Sequence, residues 1–184
     1  MGKFILANGI RTHGEGNIDI LGRHLVRLGH EVLDPRLPRR DVITARWGAK
    51  SDAKILAGVA EAGDVLLGHS FGGLRALKTA ELVPDLKAIV LYGAAVARRY
   101  DTSAIADTIE IINVHNPYDA VLKLGSFLLF HPFGLGGRDG LTSPRVVNFC
   151  QPFDGPFSAS HNSYFDSHLE QSADVAVNAL EETL

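Results

Sequence analysis

Three residues of this sequence have the types and the order needed to activate an alcohol: Ser70, Asp119 and His161. A serine hydroxyl is a weak nucleophile at neutral pH. It attacks a carbonyl when an imidazole takes its proton and a carboxylate holds that imidazole in the right tautomer. Ser70 stands in Gly68-His69-Ser70-Phe71-Gly72, a G-x-S-x-G pattern. The apolar run Val65-Leu66-Leu67 precedes it, and Leu74, Leu77 and Ala80 follow at helical spacing. Such a context predicts a sharp strand-to-helix turn that pushes the hydroxyl into the open, the flanking glycines letting the backbone make it. Asp119 ends His115-Asn116-Pro117-Tyr118-Asp119, just after an apolar run over 109–114. His161 lies in Ser160-His161-Asn162-Ser163-Tyr164-Phe165, downstream of a run over 146–149.

Groups this far apart in sequence meet only if the fold gathers them. Strand-like runs recur over 4–7, 31–34, 65–67, 88–92, 109–114 and 146–149. Between them lie helical patterns. One covers 17–28, with Asn17 as N-cap, Ile18, Leu21, Leu25 and Leu28 as its stripe, and Gly29 as its stop. Others cover 51–62, the segment after Ser70, and 167–182, where Ser167-His168-Leu169-Glu170 fits a capping box. Residues 35–49 read as a proline- and arginine-rich loop that carries Arg36, Arg39 and Arg40 as solvated charges and contains Arg46-Trp47. This alternation predicts a three-layer α/β/α sandwich with a mostly parallel central sheet covered on both faces. In such a sheet the active groups gather at the carboxyl ends of the strands, where all three candidates fall.

At 184 residues, a single domain over 1–184 is expected. A hydrophobic content of 46%, a charged content of 21% and a net charge of −3 give no footprint for nucleic acid or an anionic membrane. One cysteine, Cys150, rules out an intrachain disulfide and reads as a buried filler. No stretch approaches the roughly 18 apolar residues of a membrane span, and the first residues carry too short an apolar run for a signal peptide. The expectation is a cytoplasmic protein without a stable membrane anchor. The oligomeric state is open, a monomer being compatible with everything above.

With the elbow, the acid and the histidine in that order, the chain resembles the α/β-hydrolase family. The likeness is to its compact, cutinase-sized serine esterases of bacterial or phage type, and it extends over nearly the whole chain. It implies that residues 4–7 correspond to the family's third strand. It also implies an oxyanion hole formed by the backbone N–H groups of Phe71 and of Ile10, although Asn8-Gly9 stands where the family usually has His-Gly. The implied activity is hydrolysis of a small-molecule carboxylic ester through an acyl-enzyme, with no metal or organic cofactor. A thioesterase, amidase or acyltransferase on the same triad, and a non-catalytic binding protein on the same fold, are the alternatives.

Other readings compete for single residues. Asp119 also suits the N-cap of the next helix, and Asp139 and Asp154 are the alternative acids. His69 reads as packing beside the elbow. His115 and Asp119 have i, i+4 spacing, but no HExxH accompanies them, and Gly14-Glu15-Gly16 lacks the third glycine of a dinucleotide loop. Residues 127–135 read as a helix end packed on the sheet, or else as a mobile apolar flap over an acyl pocket.

Overall fold

The computed structural model describes residues 2–10, 17–38, 42–128 and 134–181. Six strands, β1 (Phe4–Ala7), β2 (Val32–Leu33), β3 (Val65–His69), β4 (Ala88–Tyr92), β5 (Glu110–His115) and β6 (Val146–Cys150), form one sheet in the order β2-β1-β3-β4-β5-β6. Every pairing is parallel. The helices are α1 (Asn17–Arg27), α2 (Val42–Ala57), α3 (Phe71–Ala80), α4 (Ala120–Leu128), α5 (Gly136–Asp139), α6 (Phe157–Asn162) and α7 (Leu169–Glu181). A 3₁₀ turn spans Ser163–Phe165.

The strands alternate their side chains between two cores, as the period of two demands. Ile5, Leu66, Ile89, Leu91 and Ile111 face Leu56 of α2 and Ala76, Leu77 and Ala80 of α3. Phe4, Leu6, Leu67, Val90 and Val114 face Ile18, Leu21 and Leu25 of α1 and Ala173, Ala176 and Ala179 of α7. Helices therefore cover both faces, giving the three layers expected from sequence. From β1 the chain runs outward to β2, then returns to β3 on the other side of β1. The crevice between the carboxyl ends of β1 and β3 is thus the topological switch point, the usual ligand site of such sheets.

Several expectations are corrected. The helix placed over 51–62 begins much earlier, at Val42, and takes in most of the segment read as loop. Its inner face is Ala45, Ala49, Ala53 and Leu56, all buried. Small residues at this spacing let α2 lie close to α3 but give a weak apolar signal, and Val42, Ile43, Thr44 and Gly48 are poor helix formers. Trp47, on the opposite side of α2, is 71% exposed. Arg39 and Arg40 lie outside the described residues, while Arg36 is exposed. Leu28 lies just beyond α1 and is exposed, with Gly29 at φ 95° closing the helix. The last helix begins at Leu169, so Ser167 sits in a turn one residue too early to cap it. Cys150 is exposed rather than buried, because β6 is an edge strand. Most of the 127–135 segment lies outside the described residues. Among the described residues no helix is long and apolar enough to cross a membrane.

Candidate active site

Ser70 follows the last residue of β3 and precedes the first of α3. Its backbone has φ 56° and ψ −122°, a region that side-chain-bearing residues scarcely visit and that costs on the order of 1–3 kcal/mol. Three backbone hydrogen bonds hold it there. Its N–H donates to Tyr92 O (3.1 Å), and its carbonyl accepts from Ala95 N (2.9 Å) and Gly73 N (3.1 Å). The turn is tight because α3 presses against β1: a Cβ on Gly72 would collide with the carbonyl of Ala7.

The loop after β1 crosses the serine. A Cβ built on Gly9 would lie 3.4 Å from Ser70 Cβ and 3.9 Å from Ser70 Oγ. Ile10 packs against an apolar cluster of Ala45, Ala49, Phe71, Ala95 and Leu122. The two residues named as oxyanion donors, Ile10 and Phe71, therefore share one packed cluster beside Ser70. Phe71 opens α3, where backbone N–H groups have no acceptor within the helix and the helix dipole favours negative charge.

The acid and the base are joined directly. His161 Nδ1 donates to Asp119 Oδ2 over 2.6 Å, with Asp119 fully buried. A proton on Nδ1 leaves Nε2 of the neutral imidazole as a lone-pair acceptor. Asp119 Oδ1 accepts the N–H of Leu122 (2.9 Å), so the same carboxylate caps α4. N-cap and partner of histidine are thus one role, not rivals. The carboxylate lies against Gly93: a Cβ there would come within 3.5 Å of Asp119 Oδ2 and 2.9 Å of the Tyr164 ring. The alternative acids fall away, since Asp139 pairs with Arg138 and Asp154 is exposed.

His161 sits near the end of the short helix α6. It reaches the elbow through His69, the last residue of β3. The two imidazoles are 4.8 Å apart, centroid to centroid, and His69 Nε2 donates to His161 O over 3.3 Å. Phe165 meets His69 edge-on at 4.9 Å. Burial holds the His69 imidazole well below its ordinary pKa. Positive charge on His161 pushes the same way, outweighing the hydrogen bond to the His161 carbonyl. His69 is therefore a neutral packing partner of His161. Burial likewise raises the Tyr164 phenol, with the Asp119 charge adding to it.

Two buried residues with a part in this site were missed from sequence. Asn116, fully buried, ties the acid loop to the histidine segment. Its Oδ1 accepts from Tyr118 N (3.0 Å) and Phe153 N (3.1 Å), and its Nδ2 donates to Phe153 O (3.1 Å) and Ser160 O (2.8 Å). The Asn-Pro step after β5 signals a turn, but nothing local signals the reach to Phe153 and Ser160. Arg75 of α3 is the other: it is 1% exposed and ion-paired with Asp52 of α2 at 2.7 Å. A charge of opposite sign on the inner face of each helix was its only trace in the sequence. Among the described residues no cluster of three or more histidine, cysteine or acidic side chains is arranged to hold a metal.

No protein-family model matches this sequence, and no curated protein matches it by sequence either. Solved structures do match in fold. A gene product of Listeria innocua superposes with a TM-score of 0.63 at 13% identity, covering 100% of this chain and 95% of its own. Mouse alpha/beta hydrolase domain-containing protein 10 gives 0.62 at 14%, covering 95% and 90%. A Trichoderma reesei cutinase, solved with a phosphonate inhibitor, gives 0.50 at 14%, covering 98% and 77%. At such identities the likeness concerns the fold, and the fold is that of the α/β-hydrolases.

Proposed function

We propose that the protein is a serine hydrolase that cleaves carboxylic esters of small molecules through an acyl-enzyme. The observation that carries this reading is the 2.6 Å bond from His161 Nδ1 to buried Asp119, in an imidazole packed beside the strained turn that presents Ser70. Ser70 Oγ attacks the ester carbonyl while His161 Nε2 accepts its proton. Asp119 fixes the imidazole tautomer and stabilises the imidazolium. The N–H groups of Phe71 and Ile10 receive the oxyanion of the tetrahedral intermediate, the step where preorganised donors contribute most. The imidazolium then protonates the leaving alcohol. Water, deprotonated by His161, attacks the acyl-enzyme and releases the acid. Structural likeness to a cutinase that takes a phosphonate inhibitor is in keeping with this chemistry.

The test is a fluorophosphonate probe on folded protein, followed by p-nitrophenyl esters of increasing chain length, with Ser70→Ala as control. Covalent labelling at Ser70 and turnover lost in the variant are expected. Folded protein that carries no adduct on Ser70 would overturn the reading. Parallel thioester and amide substrates rank the other acyl chemistries of the same triad.

A further inference from the structure

Arg75 is buried at the centre of four segments. Its Nε (2.9 Å) and Nη2 (2.7 Å) donate to Asp52 Oδ2 of α2, and Nη2 also donates to Pro38 O (3.0 Å). Nη1 donates to the carbonyls of Asn8 (2.6 Å) and Gly9 (3.4 Å). One turn back along α3, the Phe71 ring lies under the guanidinium, 4.8 Å from Cζ to centroid. A guanidinium is always charged, so its burial requires a partner, which Asp52 supplies. Buried ion pairs of this kind add little net stability, because desolvation consumes most of the Coulombic gain. Stability alone is therefore a poor account of why the pair is here.

The carbonyls that Arg75 holds supply a better one. A trans peptide is planar, with its C=O and N–H pointing in opposite directions. Fixing Gly9 O on the α3 side turns the N–H of Ile10, in the same peptide plane, away from Arg75. Fixing Asn8 O does the same for the peptide before it. The loop so held is the one whose Gly9 lies against Ser70.

We propose that Arg75 is the positioning residue of the oxyanion pocket. It aims the Ile10 N–H through the Asn8 and Gly9 carbonyls and braces Phe71, the other donor residue, by its stacked ring. The proposal rests on the esterase reading above. It also implies that the guanidinium fork matters beyond its charge, since a lysine has a single point from which to serve Asp52, Pro38 and the two loop carbonyls.

The experiment compares wild type, Arg75→Lys, and the double variant Asp52→Leu/Arg75→Met, which removes the pair together and leaves no orphan charge in the core. Each is checked for a cooperative melt, then assayed for kcat and KM on p-nitrophenyl butyrate and for inhibition by a trifluoromethyl ketone that forms a hemiketal oxyanion. The double variant should lose about 10²–10³ in kcat, as expected for a lost oxyanion donor, with KM within about threefold and ketone affinity falling in parallel with kcat/KM. Arg75→Lys should fall between the two and keeps the proposal testable if the double variant does not fold. A folded variant with wild-type kcat and ketone affinity overturns the role of Arg75 while the esterase reading stands. A wild type that neither turns over ester nor takes the fluorophosphonate label overturns both.

Discussion

The candidate site has two halves built by different means. The nucleophile half lies between β3 and β4, strands in which every residue is buried, and Ser70 is clamped by three backbone hydrogen bonds. The acid–base half lies at the β5–β6 side, next to an edge strand whose Val147 and Cys150 are exposed. There one side chain, Asn116, joins the Asp119 loop to the segments around Phe153 and Ser160, 37 and 44 residues away in sequence. Backbone clamps tolerate no adjustment, whereas a side-chain tie can be loosened by degrees. Damage to the turn that carries Ser70 should therefore be all-or-none, and damage to the acid–base half should be graded.

The largest expected effect is that of Ser70→Ala, a loss in kcat on the order of 10⁴–10⁶ with the fold intact, read from ester turnover and the absence of a phosphonate adduct. Next comes Gly72→Ala. Its methyl group has nowhere to go but the Ala7 carbonyl, so about 3 kcal/mol of stability should be lost, visible as a lower urea midpoint. An unchanged midpoint would mean that the elbow is softer than its clamps imply. Asn116→Ala should cost about 2 kcal/mol by stranding buried groups around Phe153 and Ser160, and should slow phosphonate labelling of Ser70 without abolishing it. Loss of labelling altogether would erase the contrast between the halves. Asn116→Asp keeps the acceptor oxygen but loses both donors and adds charge near Asp119, so it should be worse than alanine.

The smallest effect concerns pH. Folded His69 resists protonation, whereas an unfolded histidine titrates near 6.5. Below that pH the unfolded chain binds a proton at this position that the folded chain does not. Stability then falls as pH falls, by up to about 1.4 kcal/mol per pH unit. Above pH 6.5 the residue contributes no pH dependence. His69→Gln keeps a donor for His161 O and should flatten the stability profile between pH 5 and 6.5 in urea melts. An equally steep profile would assign the acid sensitivity elsewhere.

The same division governs how much could be read in the chain. The elbow was legible because its determinants are local: an apolar run, glycines at fixed places and a helix after them. Asp119 and His161 were legible in order and rough position, since parallel strand ends converge whatever lies between. That His161 sits on α6 was not, because a helix of six residues leaves no periodic signal. Helix α2 was misread because alanines do its packing. Asn116 and Arg75 act through partners on other elements, and no spacing rule connects Arg75 with Asp52 or with the carbonyl of Gly9.

The strained dihedral at Ser70 has a consequence for the protein's future under selection. Glycine adopts a positive φ without steric penalty, and it gives back only about 0.5–1 kcal/mol through the greater freedom of the unfolded chain. Against a strain of roughly 1–3 kcal/mol, Ser70→Gly should raise the melting temperature while removing the hydroxyl. A library screened for heat tolerance alone would drift toward chemically silent survivors, with position 70 among the first to change. Only a screen that also demands turnover would keep the serine in place.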